Sequence, residues 1–378
     1  MNQETTYYRY QRQLLLKEFG REGQDKLLNA KVLVIGAGGL GCPALLYLTA
    51  AGVGTLGIID YDTVDITNLH RQVLYTTDDI GKPKAITAAE KLKLLNPAVE
   101  IISFQQQLQN INALEIIKGF DIVIDGSDNF STRYLVNDAC VLLNKPLVYG
   151  AVLRFEGQVG VFNLAAKNSG IKANYRHLFP SPPSPGTVPS CSEAGVLGVL
   201  PGIIGTMQAN ECIKIITGTG SPLCNTILSY NSLTNLFYDF TITPGRNSIN
   251  TAPATTPEFL NFDYNWFCGA GNNNNEISIA AFDNLRRNEI ISVIDVREND
   301  ELPVVNEFSH IRMPLSKFEE LLYGLSARDK VILFCQSGSR SLKALQMLKE
   351  KFPGITAWSL KGGIETWKKQ AQKTSRQL

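Results

Sequence analysis

Short apolar runs recur along the chain. KVLVI (31–35), TLGII (55–59) and IVI (122–124) lie in the first half, and SVI (292–294) and VILF (331–334) in the second. The longer ones do not alternate apolar with polar residues, so they predict strands buried on both faces, as in a parallel sheet. Helical periodicity fills the intervals, which predicts an α/β arrangement. The pattern changes near residue 150. GAVLRFEGQVGVFNL (150–164) alternates on both sides of Glu156-Gly157 and predicts a hairpin turning there. ILSYNSLTNLFYDFTI (227–242) has strand character again, so the α/β core carries an antiparallel extension. GVLGVLPGIIGTM (195–207) predicts a core helix with breaks at Pro201 and the glycines. FPSPPSPGTVPSC (179–191) is too rich in proline and serine for helix or central strand and reads as an exposed crossing loop. Pro, Thr, Asn and Gly dominate 243–275, the composition of a linker. The expected division is one unit over 1–245, a linker over 246–275 and a smaller α/β unit over 276–378.

The first strand runs into Gly36-Ala37-Gly38-Gly39-Leu40-Gly41. In such a G-x-G-x-x-G turn the first two glycines let the backbone approach phosphate. The third lets the following helix pack on the strand with its N-terminus facing the anion. The next strand ends in Asp60, placed to accept hydrogen bonds from a ribose. Together these point to an adenine nucleotide without saying which. The chain then continues through Asp62, Thr67, Asn68, Leu69, His70, Arg71 and Gln72 to GKPKA, with Lys82 and Lys84. Cationic groups beside a nucleotide suit a triphosphate better than a dinucleotide, because they offset charge developing on the phosphoryl groups. FDIVIDGSDNFSTR adds a third strand followed by Asp128 and Asn129. A carboxylate at the C-terminal edge of a parallel sheet can hold Mg²⁺.

These segments resemble the MoeB/ThiF family, bacterial relatives of the ubiquitin-activating enzymes. RYQRQLLLKEFGREGQDKL, GAVLRFEGQVGVF and CSEAGVLGVLPGIIGTMQANECIK carry the resemblance further, from residue 9 to about 240. It implies a Rossmann-like, ubiquitin-activating-type adenylation domain with an antiparallel extension. It also implies adenylation of the C-terminal glycine of a small ubiquitin-fold sulfur carrier with Mg-ATP. In the roles so implied, Asp60 holds the ribose. Gly36, Gly38, Gly39 and Gly41 shape the phosphate loop, and Asn68, Arg71 and Lys84 contact the phosphates. Asp62, Thr67, Leu69, His70 and Asn129 belong to the same nucleotide motifs, and Asp128 binds Mg²⁺. Arg12, in YQRQ, reaches across a dimer interface into the partner's site, so a homodimer is expected.

Composition narrows the field. The net charge of +1 gives no electrostatic case for nucleic acid or membrane. No apolar stretch is long enough to span a bilayer, and no apolar run follows a basic start. Seven widely spaced cysteines argue against a disulfide framework and for a reducing cytoplasm.

In the second half VILF leads into Cys335-Gln-Ser-Gly-Ser-Arg340 and then an amphipathic helix. Converging backbone N–H groups at a helix start, with Arg340, should favour an anionic sulfur. Arginine arrives one position too early for a phosphatase loop of the C-x5-R type. IDVRE, FCQSGSRS and LKGGIETWK resemble a rhodanese sulfurtransferase domain over about 276–372, a small α/β fold. This resemblance implies that Cys335 carries a persulfide supplied by a donor such as a cysteine desulfurase. Cys191, in PSCSEAG, matches the family's other cysteine and could resolve an acyl-disulfide, form a transient thioester or be a spare loop thiol.

Many relatives bind zinc with two C-x-x-C pairs. Those positions here are Asn174 and His177, then Asn265 and Cys268, so no structural zinc is expected. The expected carrier is MoaD-like, for molybdopterin synthesis; a ThiS-like (thiamine) or Urm-like carrier is the alternative. Two other classes remain: a nicotinamide oxidoreductase, opposed by Arg71, Lys84 and Asp128, and a non-catalytic carrier-binding scaffold.

Overall fold

The computed structural model describes residues 7–166, 170–183, 194–243, 252–268, 275–322 and 330–368. The chain divides into two units, one reaching Tyr264 and the other beginning at Asn265. The crossing loop lies mostly outside the described residues, and Cys191 lies wholly outside them.

The apolar runs form the centre of an eight-stranded sheet of order β3-β2-β1-β4-β5-β6-β7-β8. Its strands are β1 (Lys31–Ile35), β2 (Thr55–Ile59), β3 (Glu100–Phe104), β4 (Ile122–Asp125), β5 (Leu147–Leu153), β6 (Glu156–Phe162), β7 (Thr226–Asn231) and β8 (Leu236–Thr241). The first five are parallel, and β5 to β8 are antiparallel. Val32, Leu33 and Val34 are fully buried, as residues covered on both faces must be. Helices α1 (Gly20–Asn29), α2 (Gly41–Ala51), α3 (Lys84–Leu95), α4 (Asn110–Lys118), α5 (Phe130–Leu142) and α6 (Val199–Thr217) join this unit. Strand order reverses at β1 between β2 and β4. A cleft outside the C-terminal strand ends is the expected consequence.

Three expectations change. The hairpin turns at Arg154-Phe155, not at Glu156-Gly157: Leu153 pairs with Glu156 and Val152 with Gly157. Arg154 takes the left-handed conformation (φ 54°) that the turn needs. Gly157 is instead a strand residue whose missing side chain makes room for Ile204. A Cβ there would lie 2.4 Å from Ile204 Cγ1. The segment 195–207 is not a broken helix, since α6 is continuous from Val199. Pro201 sits in its first turn, where the missing N–H has no partner to lose. The 243–275 stretch contains two short helices, Thr256–Asn261 and Tyr264–Phe267. Thr255 caps the first, and Phe259 is fully buried.

The second unit is a five-stranded parallel sheet of order β11-β10-β12-β13-β9. Its strands are β9 (Glu276–Ile277), β10 (Ile291–Asp295), β11 (Ile311–Arg312), β12 (Lys330–Phe334) and β13 (Ala357–Leu360), with helices α7 (Ile279–Asn288) and α8 (Ser339–Lys351). Clusters around Val331 and Leu333, and around Phe282 and Ile332, fill it. No helix among the described residues is long and apolar enough to cross a membrane.

Candidate functional site

The glycine loop joins β1 to α2. Gly36 has φ +87°, and a Cβ on Gly41 would meet the Gly36 carbonyl oxygen at 1.9 Å, so both positions demand glycine. The loop borders an open cleft. Gly36, Gly38 and Gly39 line it, together with Asp60, Asp62, Arg71, Lys84, Asp128 and Asn129. These residues follow β1, β2 and β4, or start helices. The cleft is where the strand order reverses.

Each cleft side chain has a distinct state. Asp60 is held by the loop: Ala37 N–H donates to Oδ2 at 2.8 Å and Asp62 N–H to Oδ1 at 2.8 Å. Burial raises its carboxyl above the usual range, against the pull of Lys84. Lys84, at the first residue of α3, is almost buried (7% exposed) and pairs with half-exposed Asp62 at 3.1 Å. Arg71 donates to the Thr67 carbonyl at 3.0 Å and to His70 Nε2 at 2.7 Å. Asp128 is exposed in the cleft. Its negative charge, with Asp60 and Asp62, adds to burial in raising the Tyr61 hydroxyl. Asn129 caps α5, its Oδ1 accepting the Thr132 N–H at 2.9 Å.

Other expected residues do not line this cleft. Thr67 and Asn68 build the turn that presents Arg71. Asp65 Oδ1 accepts the Thr67 N–H, and Asn68 Oδ1 accepts the Asp65 N–H at 3.3 Å. Leu69 packs against the core, and His70 is exposed and bound to Arg71. Gly41 packs on Gly36. Arg12 is exposed, outside the cleft of its own chain.

Sequence reasoning missed part of the lining. Arg133, one turn into α5, donates to the Ser127 carbonyl at 3.2 Å and lies over the Tyr149 ring at 5.7 Å. Its place in SDNFSTR, at the start of a helix after a strand, was the available signal. Gln72 is buried, with its side-chain oxygen unpaired among the described residues. Gln106, Gln107 and Leu108 follow β3 and enter the lining because β3 pairs with β2. No sequence signal marked them.

Of the residues weighed above as C-x-x-C positions, Asn174 caps the helix Tyr175–Leu178, and its N–H donates to His177 Nδ1 at 2.9 Å. Beside it Arg176 and Asp138, each about 1% exposed, form a two-point ion pair (2.8 and 2.7 Å). The Tyr264 hydroxyl donates to Asp138 at 2.9 Å, and Arg176 lies 5.4 Å over Phe262. The returning segment is thus tied down by a satisfied buried ion pair. Among the described residues no cluster of three or more His, Cys, Asp or Glu could hold a metal.

In the second unit Cys335 follows β12, and its loop leads into α8. The thiol is buried; Gly338 N–H donates to Sγ at 3.1 Å, and Ser341 Oγ lies at 3.5 Å. The Arg340 guanidinium is held by both carboxylate oxygens of Glu301, one at 2.6 Å. At the end of β10, beside Phe334 of β12, Asp295 and Arg297 form a fully buried pair at 2.7 Å.

The comparisons with known proteins fit these two sites. Residues 10–251 match the ThiF family. The chain belongs to the ThiF family. Residues 278–370 match the rhodanese-like domain. A Thermus thermophilus protein named sulfur carrier protein adenylyltransferase is 49% identical over 69% of this chain and 96% of its own length. A Mycobacterium tuberculosis protein named probable adenylyltransferase/sulfurtransferase MoeZ is 40% identical over 96% of this chain and 93% of its own. Escherichia coli MccB, solved with MccA-N7isoASN, shares the fold. Its TM-score is 0.54 at 22% identity, over 61% of this chain and 69% of that one. As a ThiF-family chain with a rhodanese-like domain, this protein is an enzyme, a nucleotidyltransferase with sulfurtransferase activity.

Proposed function

We propose that this ThiF-family enzyme adenylates the C-terminal glycine of a ubiquitin-fold sulfur carrier with Mg-ATP and then delivers sulfur through Cys335. The carrier we put forward is the MoaD-like protein of molybdopterin synthesis. One observation carries the reading. Lys84, Arg71 and the Asp128 carboxylate converge on the glycine loop in a single cleft, where a triphosphate needs two cations and a metal-binding carboxylate. The names of the relatives support it.

In the first step a carboxylate oxygen of the carrier attacks the α-phosphorus of ATP, and pyrophosphate leaves. Arg71 and Lys84 offset the charge that develops, and the loop N–H groups orient the phosphates. Asp128 would hold Mg²⁺, which would supply positive charge to offset that of the phosphates. Arg12 would act in the cleft of a second protomer, which makes the active form a homodimer. In the second step the terminal sulfur of a Cys335 persulfide attacks the acyl carbon, and AMP leaves. A second thiol, assigned to Cys191, cleaves the resulting acyl-disulfide. It releases the thiocarboxylate and leaves a cysteine disulfide that an external thiol reduces. A cysteine desulfurase-type donor would recharge Cys335.

The test is ATP–pyrophosphate exchange with purified carriers ending in Gly-Gly, the MoaD-like and ThiS-like types side by side. Exchange with the MoaD-like carrier supports the proposal. Exchange with the ThiS-like carrier alone moves the enzyme to thiamine synthesis. Exchange with neither, despite ATP binding, removes the adenylation reading for these carriers.

A further inference from the structure

One buried tyrosine touches the glycine loop from outside the cleft lining. Tyr75 is buried, 5% exposed, behind the loop. Its hydroxyl lies 2.9 Å from the Ala37 carbonyl oxygen and 3.2 Å from that of Lys84. The Cys42 thiol donates to the same Ala37 oxygen at 3.3 Å. On the other side of this residue the Ala37 N–H is taken by Asp60. Both peptide groups around Ala37 are therefore pinned, the N–H by Asp60 at the cleft wall and the carbonyl by Tyr75 and Cys42 from the interior.

A trans peptide points its C=O and the following N–H in opposite directions. Holding the Ala37 carbonyl inward turns the Gly38 N–H outward, and Gly38 lines the cleft. We propose that Tyr75 is a positioning residue for phosphate recognition, aiming the Gly38 N–H at the nucleotide and setting the start of α3, and so Lys84, against the glycine loop. The proposal rests on the cleft being the ATP site. Burial pushes the Tyr75 hydroxyl far above its usual value, so it remains a donor at every working pH. Burial likewise pushes the Cys42 thiol up to about 12, so it too stays protonated.

The test compares MgATP and adenosine binding to the full chain, wild type and Tyr75→Phe, by calorimetry and competition, with urea unfolding alongside. Loss of one hydrogen bond that orients a donor to a charged group should weaken ATP about tenfold. Adenosine, which has no phosphate, should bind as before. Equal weakening of both ligands, or of neither, makes Tyr75 a packing residue and overturns the proposal. Wild-type protein that binds no ATP overturns the reading of the cleft instead. Should Tyr75→Phe not fold, Cys42→Ala removes the other donor to the same carbonyl. It carries the same expectation, selective loss of ATP over adenosine, and is overturned by the same results.

Discussion

Lys84 is the residue whose surroundings best explain its assigned role. Its side chain is almost buried, yet its ammonium reaches half-exposed Asp62 at the cleft wall. In the proposed reaction, a cation so placed would be held without reorganisation where phosphoryl charge develops. Lys84→Ala should lower the rate of carrier-dependent ATP–pyrophosphate exchange by about 10²–10³-fold. Persulfide formation at Cys335, measured with the same variant, should be unchanged. Asp79 acts on stability rather than chemistry. Burial alone would raise its carboxyl, but Lys91, Thr76 and Lys82 outweigh that and hold it well below its usual range. A depressed carboxylate stabilises the fold above its unfolded value near 3.9 and loses that contribution as pH falls through the lower folded value. Asp79→Asn should therefore be less stable than wild type above about pH 5, the gap closing as pH falls below 4. Urea midpoints across pH 3–7 check this. At this scale the place of Gly36, Asp60 and Asp128 in the cleft was legible in the sequence, because each lies within a few residues of the end of β1, β2 or β4. The states of those side chains were not legible. Nothing local shows that Asp60 is held by the Ala37 N–H, or that Glu301 holds Arg340.

Among elements, α6 does the most to shape the first unit. It lies on the sheet where Gly157 opens a space for Ile204, and Pro201 packs against Gly39 of the glycine loop. Gly157→Val should cost roughly 1–3 kcal/mol from overpacking. Ile204→Ala in the same chain should restore part of that loss, since the two residues share one space. Paired urea titrations decide this, and simple additivity would refute the shared-space account. The hairpin expectation failed here for the same reason. Gly157 looked like a turn residue because a local reading sees a glycine, whereas the helix packed on the sheet determines why it is glycine. The broken-helix expectation failed because the cost of proline depends on its position in the helix. Strand existence was readable because burial on both faces leaves an uninterrupted apolar run, as in β1 and β2.

For the whole molecule, the proposed function gives the two units separate chemistries. Cys335→Ala should preserve ATP–pyrophosphate exchange and abolish thiocarboxylate formation with a persulfide donor, read by mass spectrometry of the carrier. A normal thiocarboxylate yield would remove the rhodanese-like unit from the route. The first unit should also be insensitive to chelators, because Arg176, Asp138 and Tyr264 tie down its returning segment. Asp138→Ala, which leaves Arg176 buried without its partner, should cost about 3–5 kcal/mol. A fall in the melting temperature with a chelator would contradict this account. The sequence by itself determined the α/β class, the two glycine- and cysteine-bearing loops and the residue types in each. Local backbone geometry and burial on both strand faces constrain residue choice position by position. Only the tertiary structure decided which residues share the cleft, such as Gln106 and Arg133. It also decided which are committed to neighbours, such as Asn68 and Asn129, and which hold the loop from behind, as Tyr75 does. Those outcomes depend on strand pairing and helix packing between segments far apart in the chain, and no single segment encodes them.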